Sequence, residues 1–350
     1  TVGLPDISSF YIGDIPLNSV GINFHDRGEI PMRQATMTKS IIIHLFILGG
    51  LLFAQDSNIS FPVAEIEKKL KHDEFEIFSF RDLRFVGDIG KRVILRYSDR
   101  KDLQIKWRRA LIGGHTFNNA PRFEIAAYEL QKLFLDESDF VVPPTLARCY
   151  SFEEYKTIEA DSDPTFKNPD IVLVMMQYWL NEVTVGGEVY NKKKFNSDPL
   201  YAKHFANTNI MTYIINHQDS NEGNLLTSTD EKNPRVFTVD NGVTFSSPKS
   251  DRGAKWKYIR VKRLPKKTID RLSSLTSEKL HEKMGVIAQF EFADGEIKSV
   301  DPTKNINPNK GVRQEGNVIQ LGLTAKEIRA VEKRINYILK QNKKGKYELF

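Results

Sequence analysis

A helix-spaced apolar run that breaks into a loop of oxygen donors limits what this chain can fold into more than any other feature. Residues 207–226 read NTNIMTYIINHQDSNEGNLL. Ile210, Tyr213 and Ile214 recur at helical spacing, and the loop after them gathers His217, Asp219, Asn221 and Asn224. Ten residues later, VFTVDNGVTF (236–245) reads as a strand carrying a second carboxylate, Asp240, beside a glycine. Carboxylates and amides of this kind are hard oxygen ligands, which Mg²⁺ and Mn²⁺ take. An EF-hand loop starting at Asp219 fails, because its sixth position is Asn224 rather than glycine and its twelfth is Asp230. Zinc at His217 and Asp219 fails too, since no other well-spaced His or Cys supports it.

A solvated polar turn accounts for that loop alone equally well. It does not account for the loop together with three features upstream, in an order that phosphoryl transfer from ATP requires. A flexible glycine turn lets backbone amides approach phosphates, and VGDIG supplies Gly87 and Gly90. A strand lysine holds the phosphates, and LQIKWRRA supplies Lys106. A helix carboxylate orients that lysine, and PRFEIAAYEL supplies Glu124, 18 residues on, with Glu129 as its competitor. Asp219 then accepts or orients the nucleophile, and Asn224 and Asp240 hold metal. Protein kinases use His-Arg-Asp with an Asn five residues after the Asp. His217, Asp219 and Asn224 match that spacing, with Gln218 in place of the Arg. Asp240 lies 21 residues after Asp219, where kinases place Asp-Phe-Gly after a strand.

With 350 residues there is room for one large bilobal domain or two. A chain 40% hydrophobic and 27% charged is globular rather than disordered. The net charge of +6, from 51 basic and 45 acidic residues, suits a phosphate-bearing ligand but is not the signature of a nucleic-acid binder. The lysine runs at 192–194, 261–267 and the C-terminus read as solvated surface. Cys149 is the one cysteine, which excludes an intramolecular disulfide and a cysteine-based metal site.

Residues 1–36 lack periodicity and are expected to be a non-native or disordered leader. Residues 37–54, MTKSIIIHLFILGGLLFA, have the shape of a signal peptide or short hydrophobic anchor: Lys39, an apolar run from Ile41, and an end near Ala54. The run is short for a membrane span. The expectation is export to the periplasm, the cell exterior or a secretory pathway, with no stable span after cleavage.

Beyond Ala54, Val63, Ile66 and Leu70 are spaced as in a helix. Val93, Leu95 and Tyr97, then Leu103 and Ile105, alternate as in a β-meander. RFEIAAYELQKLFL is an amphipathic helix. VVPP begins extended, and Ile171–Met176 is an apolar strand. TIDRLSSL and SEKLHEKMGVIAQF read as helices, as does LTAKEIRAVEKRINYILKQ with its capping box Thr324–Glu327. The expectation is an α+β, bilobal, atypical protein-kinase-like fold. Its β-rich N-lobe would span 55–180 and its helical C-lobe 181–350, with the boundary near Tyr178–Glu188.

These segments resemble a known family. RFEIAAYELQKLF with VVPPTLAR, and NIMTYIINHQDSNEGNLL with VFTVDNGVTF, are similar to the secretory-pathway kinases of the Golgi casein kinase, glycosaminoglycan xylosylkinase and four-jointed type. HipA-type and phosphatidylinositol kinases are more distant likenesses. The resemblance covers roughly Phe85 to Leu275. It implies that Lys106 pairs with nucleotide phosphates and Glu124 with Lys106, that Asp219 is catalytic, and that Asn224 and Asp240 hold Mg²⁺ or Mn²⁺. The family usually has Asp-Arg-His in the loop, where this chain has Asp219-Ser220-Asn221, so Asn221 and Asn224 compete as ligand. The animal members carry several disulfides, so the chain looks like a compact bacterial relative.

The expected function is an ATP-dependent, metal-dependent kinase acting on a hydroxyl of a protein or glycan. The rival expectations are a pseudokinase that binds nucleotide or scaffolds a partner, and a protein nucleotidyltransferase using the same residues.

Overall fold

Ile171–Tyr178 is buried along its whole length, and the reason organises the molecule. The computed structural model describes residues 56–83, 90–185, 189–250 and 252–350. The leader, the apolar segment 37–54 and Gly87 therefore lie outside the described residues. Gln55–Phe350 form one compact unit.

In chain order, α1 (Val63–Lys71) buries Val63, Ile66 and Leu70, the residues whose spacing marks it as a helix. A meander follows: β1 (Phe75–Asp82), β2 (Gly90–Tyr97) and β3 (Asp102–Arg109). Val93, Leu95 and Tyr97 point into the core and their neighbours do not, as strand alternation requires. α2 (Pro121–Gln131) opens on a proline, which already has helical φ and whose missing N–H is no loss in a first turn. It is buried nearly all round, so it runs through the interior rather than over it. After β4 (Thr145–Ser151) and α3 (Phe152–Lys156), β5 (Ile171–Tyr178) completes an antiparallel five-stranded sheet in the order β1-β2-β3-β5-β4.

The second half contains β6 (Val183–Val185), α4 (Lys192–Ser197), α5 (Pro199–Ile214), β7 (Leu225–Ser228) and β8 (Val236–Thr238). β9 (Arg263–Leu264), α6 (Lys266–Ser273) and α7 (Ser277–Gly285) follow. Then come β10 (Ala288–Ala293), β11 (Glu296–Val300), β12 (Val312–Glu315) and β13 (Val318–Leu321), and finally α8 (Ala325–Lys343) and β14 (Glu348–Leu349). β6, β7 and β8 form a small antiparallel sheet beneath α5. Asp198 caps α5 by accepting from the Leu200 and Tyr201 amides, and the α8 capping box is present.

Three expectations need correction. The second half is not wholly helical, because β10–β13 form a four-stranded antiparallel sheet. The helical run expected from Ser277 stops at Gly285, and Ala288–Ala293 is a strand. Asp294 and Gly295 both have positive φ (54° and 81°), as the two central residues of a type I′ hairpin turn do. That turn fixes β10 against β11. The strand expected over 236–245 ends at Thr238, because Asp240 turns the chain with φ 54°.

The unexpected sheet explains β5. Val172, Val174 and Met176 pack with α1 and the meander on one face. Ile171 and Leu173 pack with Phe290, Ile319 and Leu321 on the other. Two covered faces give a continuous apolar run instead of alternation.

Candidate active site

Lys106 sits in the middle of β3, between Arg92 of β2 and Gln177 of β5 in register. Its neighbours Ile105 and Trp107 belong to the core on one face of the sheet. Alternation therefore turns Lys106 to the other face, toward α2. It is 7% exposed, and its Nζ donates to Asp240 Oδ1. Burial opposes the charge on Lys106, but the carboxylates of Asp240 and Glu124 outweigh it and hold the pKa above the ordinary lysine value. The Lys106 ammonium holds Asp240 below the usual carboxylate range, against the opposing effect of burial. Asp240 still keeps 48% of its side-chain surface, so the carboxylate remains open to a ligand.

The backbone places Asp240 in two ways. The Val239 amide donates to the Asn224 carbonyl at 3.0 Å. Asp240 itself adopts a left-handed φ, which aspartate tolerates better than most residues. The next amide, Asn241 N–H, donates to Glu124 Oε2 at 2.9 Å. Glu124 on α2 thus contacts the backbone beside Asp240, and it acts on Lys106 through its charge rather than through a direct hydrogen bond. Burial pushes its pKa up against the lowering by Lys106. Its Oε1 is buried with no hydrogen-bond partner among the described residues. A Cβ at Gly242 would stand 3.4 Å from that atom, at ordinary contact distance. Glu129, the competing carboxylate, pairs with Lys132 at 2.8 Å instead.

The loop after α5 is wired from within. His217 is fully buried; its Nδ1 accepts the Asp219 amide at 3.2 Å, and its Nε2 lies 3.2 Å from the Val239 carbonyl. An Nε2–H tautomer satisfies both bonds, and burial lowers the pKa to about 4, so the ring is neutral. The imidazole therefore links the Asp219 loop to the residue before Asp240. Asn221 Nδ2 donates to Asp219 Oδ1 at 2.8 Å, and Asn224 Nδ2 to the Asp219 carbonyl at 2.7 Å. Arg252 approaches Asp219 Oδ2 at 3.7 Å. Burial raises the Asp219 pKa against these lowering contacts.

The structure thus brings together Lys106, Glu124, Asp219, Asn224 and Asp240. Gly90 opens β2 opposite Arg108, and Gly87 is outside the described residues. The donor set fits Mg²⁺ or Mn²⁺. Asn224 uses its amide N–H₂ on the loop and keeps its oxygen as an acceptor, and Asp240 has open carboxylate surface. Among the described residues no cluster of three or more His, Cys, Asp or Glu could hold a metal. An Asp–Asn pair completed by phosphate oxygens and water needs none. Arg252 was missed by the sequence reasoning; its one signal is its place in the basic segment after Asp-Asn-Gly. Two cavities of about 890 and 790 Å³ lie elsewhere, against the β10–β13 sheet, and none of these residues lines them.

The architecture matches solved structures. A hydra Fam20 structure determined with sugar superposes at TM-score 0.51 with 15% identity, over 82% of this chain and 92% of that one. A crystal structure of the Golgi casein kinase gives 0.46 at 14% identity, covering 79% and 75%. The Golgi casein kinase with Mn and ADP bound gives 0.45 at 13%, covering 79% and 74%. This chain has a protein-kinase-like fold. No family model matches it, and no curated protein matches it by sequence. At these identities the likeness is one of fold, and the chemistry is argued from the side chains.

Proposed function

We propose that this chain is a metal-dependent kinase that transfers the γ-phosphoryl group of ATP to a hydroxyl of a protein or glycan. One observation carries the reading: Lys106 bonds Asp240 while Glu124 takes the adjacent Asn241 amide, so a strand, a helix and an acidic turn meet at one point. On binding ATP, Lys106 exchanges the Asp240 carboxylate for phosphate oxygens. Asp240 and Asn224 would hold Mg²⁺ or Mn²⁺, which would supply positive charge against the triphosphate. Asp219 orients the acceptor hydroxyl and takes its proton, a role its raised pKa suits. The acceptor oxygen bonds to the γ-phosphorus, the bond from that phosphorus to the β–γ bridging oxygen breaks, and ADP leaves.

The hydra Fam20 structure, determined with sugar, supports this reading without deciding the acceptor. Residues 37–54 would direct export, and the lobe boundary would fall near Tyr178–Glu188. A second reading, nucleotide binding without transfer, draws on Lys106 being engaged by Asp240 rather than by Glu124. Intact-mass analysis of protein and glycan acceptors incubated with ATP and Mn²⁺ tests the proposal. A gain of about 80 Da per site is expected for a phosphoryl group. A gain of a whole nucleotide would make the chain a nucleotidyltransferase, and no gain on any acceptor with intact ATP binding would favour the binding reading.

A further inference from the structure

Two residues before Glu124, α2 carries a second fixed point. Arg122 is 5% exposed and Glu327, in the first turn of α8, is 4% exposed. They form a two-pronged ion pair: Arg122 Nη1 to Glu327 Oε2 and Nη2 to Oε1, both at 2.8 Å. Nη1 also donates to the Gly322 carbonyl at 3.2 Å and Nε to His115 Nδ1 at 3.3 Å. Gly311 presses on the guanidinium so closely that a Cβ there would lie 2.4 Å from Cζ. The Glu327 carboxylate has no spare capacity. It accepts both Arg122 bonds, the Thr324 amide at 2.8 Å, and the hydroxyl of Ser246, six residues after Asp240.

A buried ion pair of this kind adds little net stability over an apolar pair of similar size. What this pair does add is geometry. Arg122 and Glu124 are two residues apart on a helix, so their side chains leave α2 about 200° apart. One face of α2 is held by Glu327 and the opposite face by the Asn241 amide. Rolling the helix would break both. Glu327 also holds Ser246, so one carboxylate ties the C-terminal helix, α2 and the segment leaving the Asp240 turn.

We propose that Arg122 and Glu327 are positioning residues that set the rotation of α2, and with it the placement of Glu124 beside Lys106 and Asp240. The consequence for catalysis rests on the kinase reading; the geometric claim does not.

The test uses the full chain as wild type, Glu327→Gln, Arg122→Gln, the double variant, and an apolar replacement, Arg122→Met with Glu327→Leu, as a substitute should the polar variants fold poorly. Amide hydrogen exchange by mass spectrometry reports on residues 121–131 and 239–245 without needing activity. The expected result is exchange about 2- to 30-fold faster in those two segments, with 288–321 unchanged, and a double variant no worse than either single one. ATP affinity with Mn²⁺ should weaken over the same range while the metal requirement is retained. Unchanged protection of 239–245 in a folded variant would overturn the proposal, as would a uniform rise in exchange across the chain or strictly additive effects. Failure of wild type to bind ATP would count against the kinase reading alone, and the exchange data would still decide the role of the pair.

Discussion

Lys106 donates a hydrogen bond to Asp240 across 134 residues of sequence. The lysine is buried and the aspartate half open, so the pair is asymmetric: its cation is shielded from solvent, while its carboxylate can meet a ligand. Removing Asp240 should have two effects. Asp240→Ala strands the ammonium, at about 1–3 kcal/mol, less than for a fully buried pair because Asp240 is half exposed. The same variant should lose phosphoryl transfer. Urea unfolding and a transfer assay on the same preparation would read both.

Lys106→Met should separate folding from nucleotide affinity. The substitution removes a buried charge and its desolvation cost but leaves the carboxylates of Asp240 and Glu124 without their cation, so the folded protein should be recovered with reduced stability. The uncompensated Asp240 and Glu124 then repel the triphosphate. ATP affinity should drop by a factor of about 10 or more, equal to about 1.4 kcal/mol. Titration calorimetry against wild type measures it, and unchanged affinity would remove Lys106 from the site.

Asp219→Asn should stop turnover and leave the protein at least as stable as wild type. Burial raises the Asp219 pKa, so the ionised form is disfavoured in the folded state. The sign follows: a carboxylate with a raised folded pKa stabilises the fold below its unfolded pKa, near 3.9, and loses that contribution as pH rises through the folded value. At neutral pH the charge is therefore a burden that Asn removes, and the melting temperature should stay level or rise. A fall of several degrees would show that the Arg252 contact outweighs the desolvation.

Two buried histidines should make the fold acid-sensitive in a set window. Burial lowers His217 to about 4 and His204 to about 3. Depressed folded pKa values mean that the unfolded chain binds the protons first, so stability falls as pH drops from about 6.5 toward 4. With two protons the slope approaches about 3 kcal/mol per pH unit. Urea titrations at pH 7, 6 and 5 would check it, and a flat profile would contradict buried neutral imidazoles.

The sheet that the sequence reasoning overlooked should matter for stability. Phe290 is 1% exposed and packs under β5 with Ile171 and Leu173. Phe290→Ala should cost about 3–5 kcal/mol by urea unfolding. A loss under 1 kcal/mol would mean that β10–β13 is an appendage.

What could be read from residues alone followed from local chemistry. Lys106, Glu124, Asp219 and Asp240 are each ordinary, and their order along alternating and helical segments brought them out together. The hairpin at Asp294-Gly295 was also legible, in ADGE between alternating residues, but helical spacing upstream in SEKLHEKM masked the change of period. The Arg122–Glu327 pair spans 205 residues, and nothing in either local sequence points to the other. The replacement of a Lys106–Glu124 bond by Lys106–Asp240 and Asn241–Glu124 contacts was equally invisible, since it depends on how far α2 sits from β3.

The central claim is that these side chains build a nucleotide site that depends on metal. Titration of ATP into the full chain, with and without Mn²⁺, tests it most directly when run beside Asp240→Ala. The account predicts binding in wild type that requires Mn²⁺ and disappears in the variant. Folded wild type with no binding, or equal binding in both proteins, would contradict it.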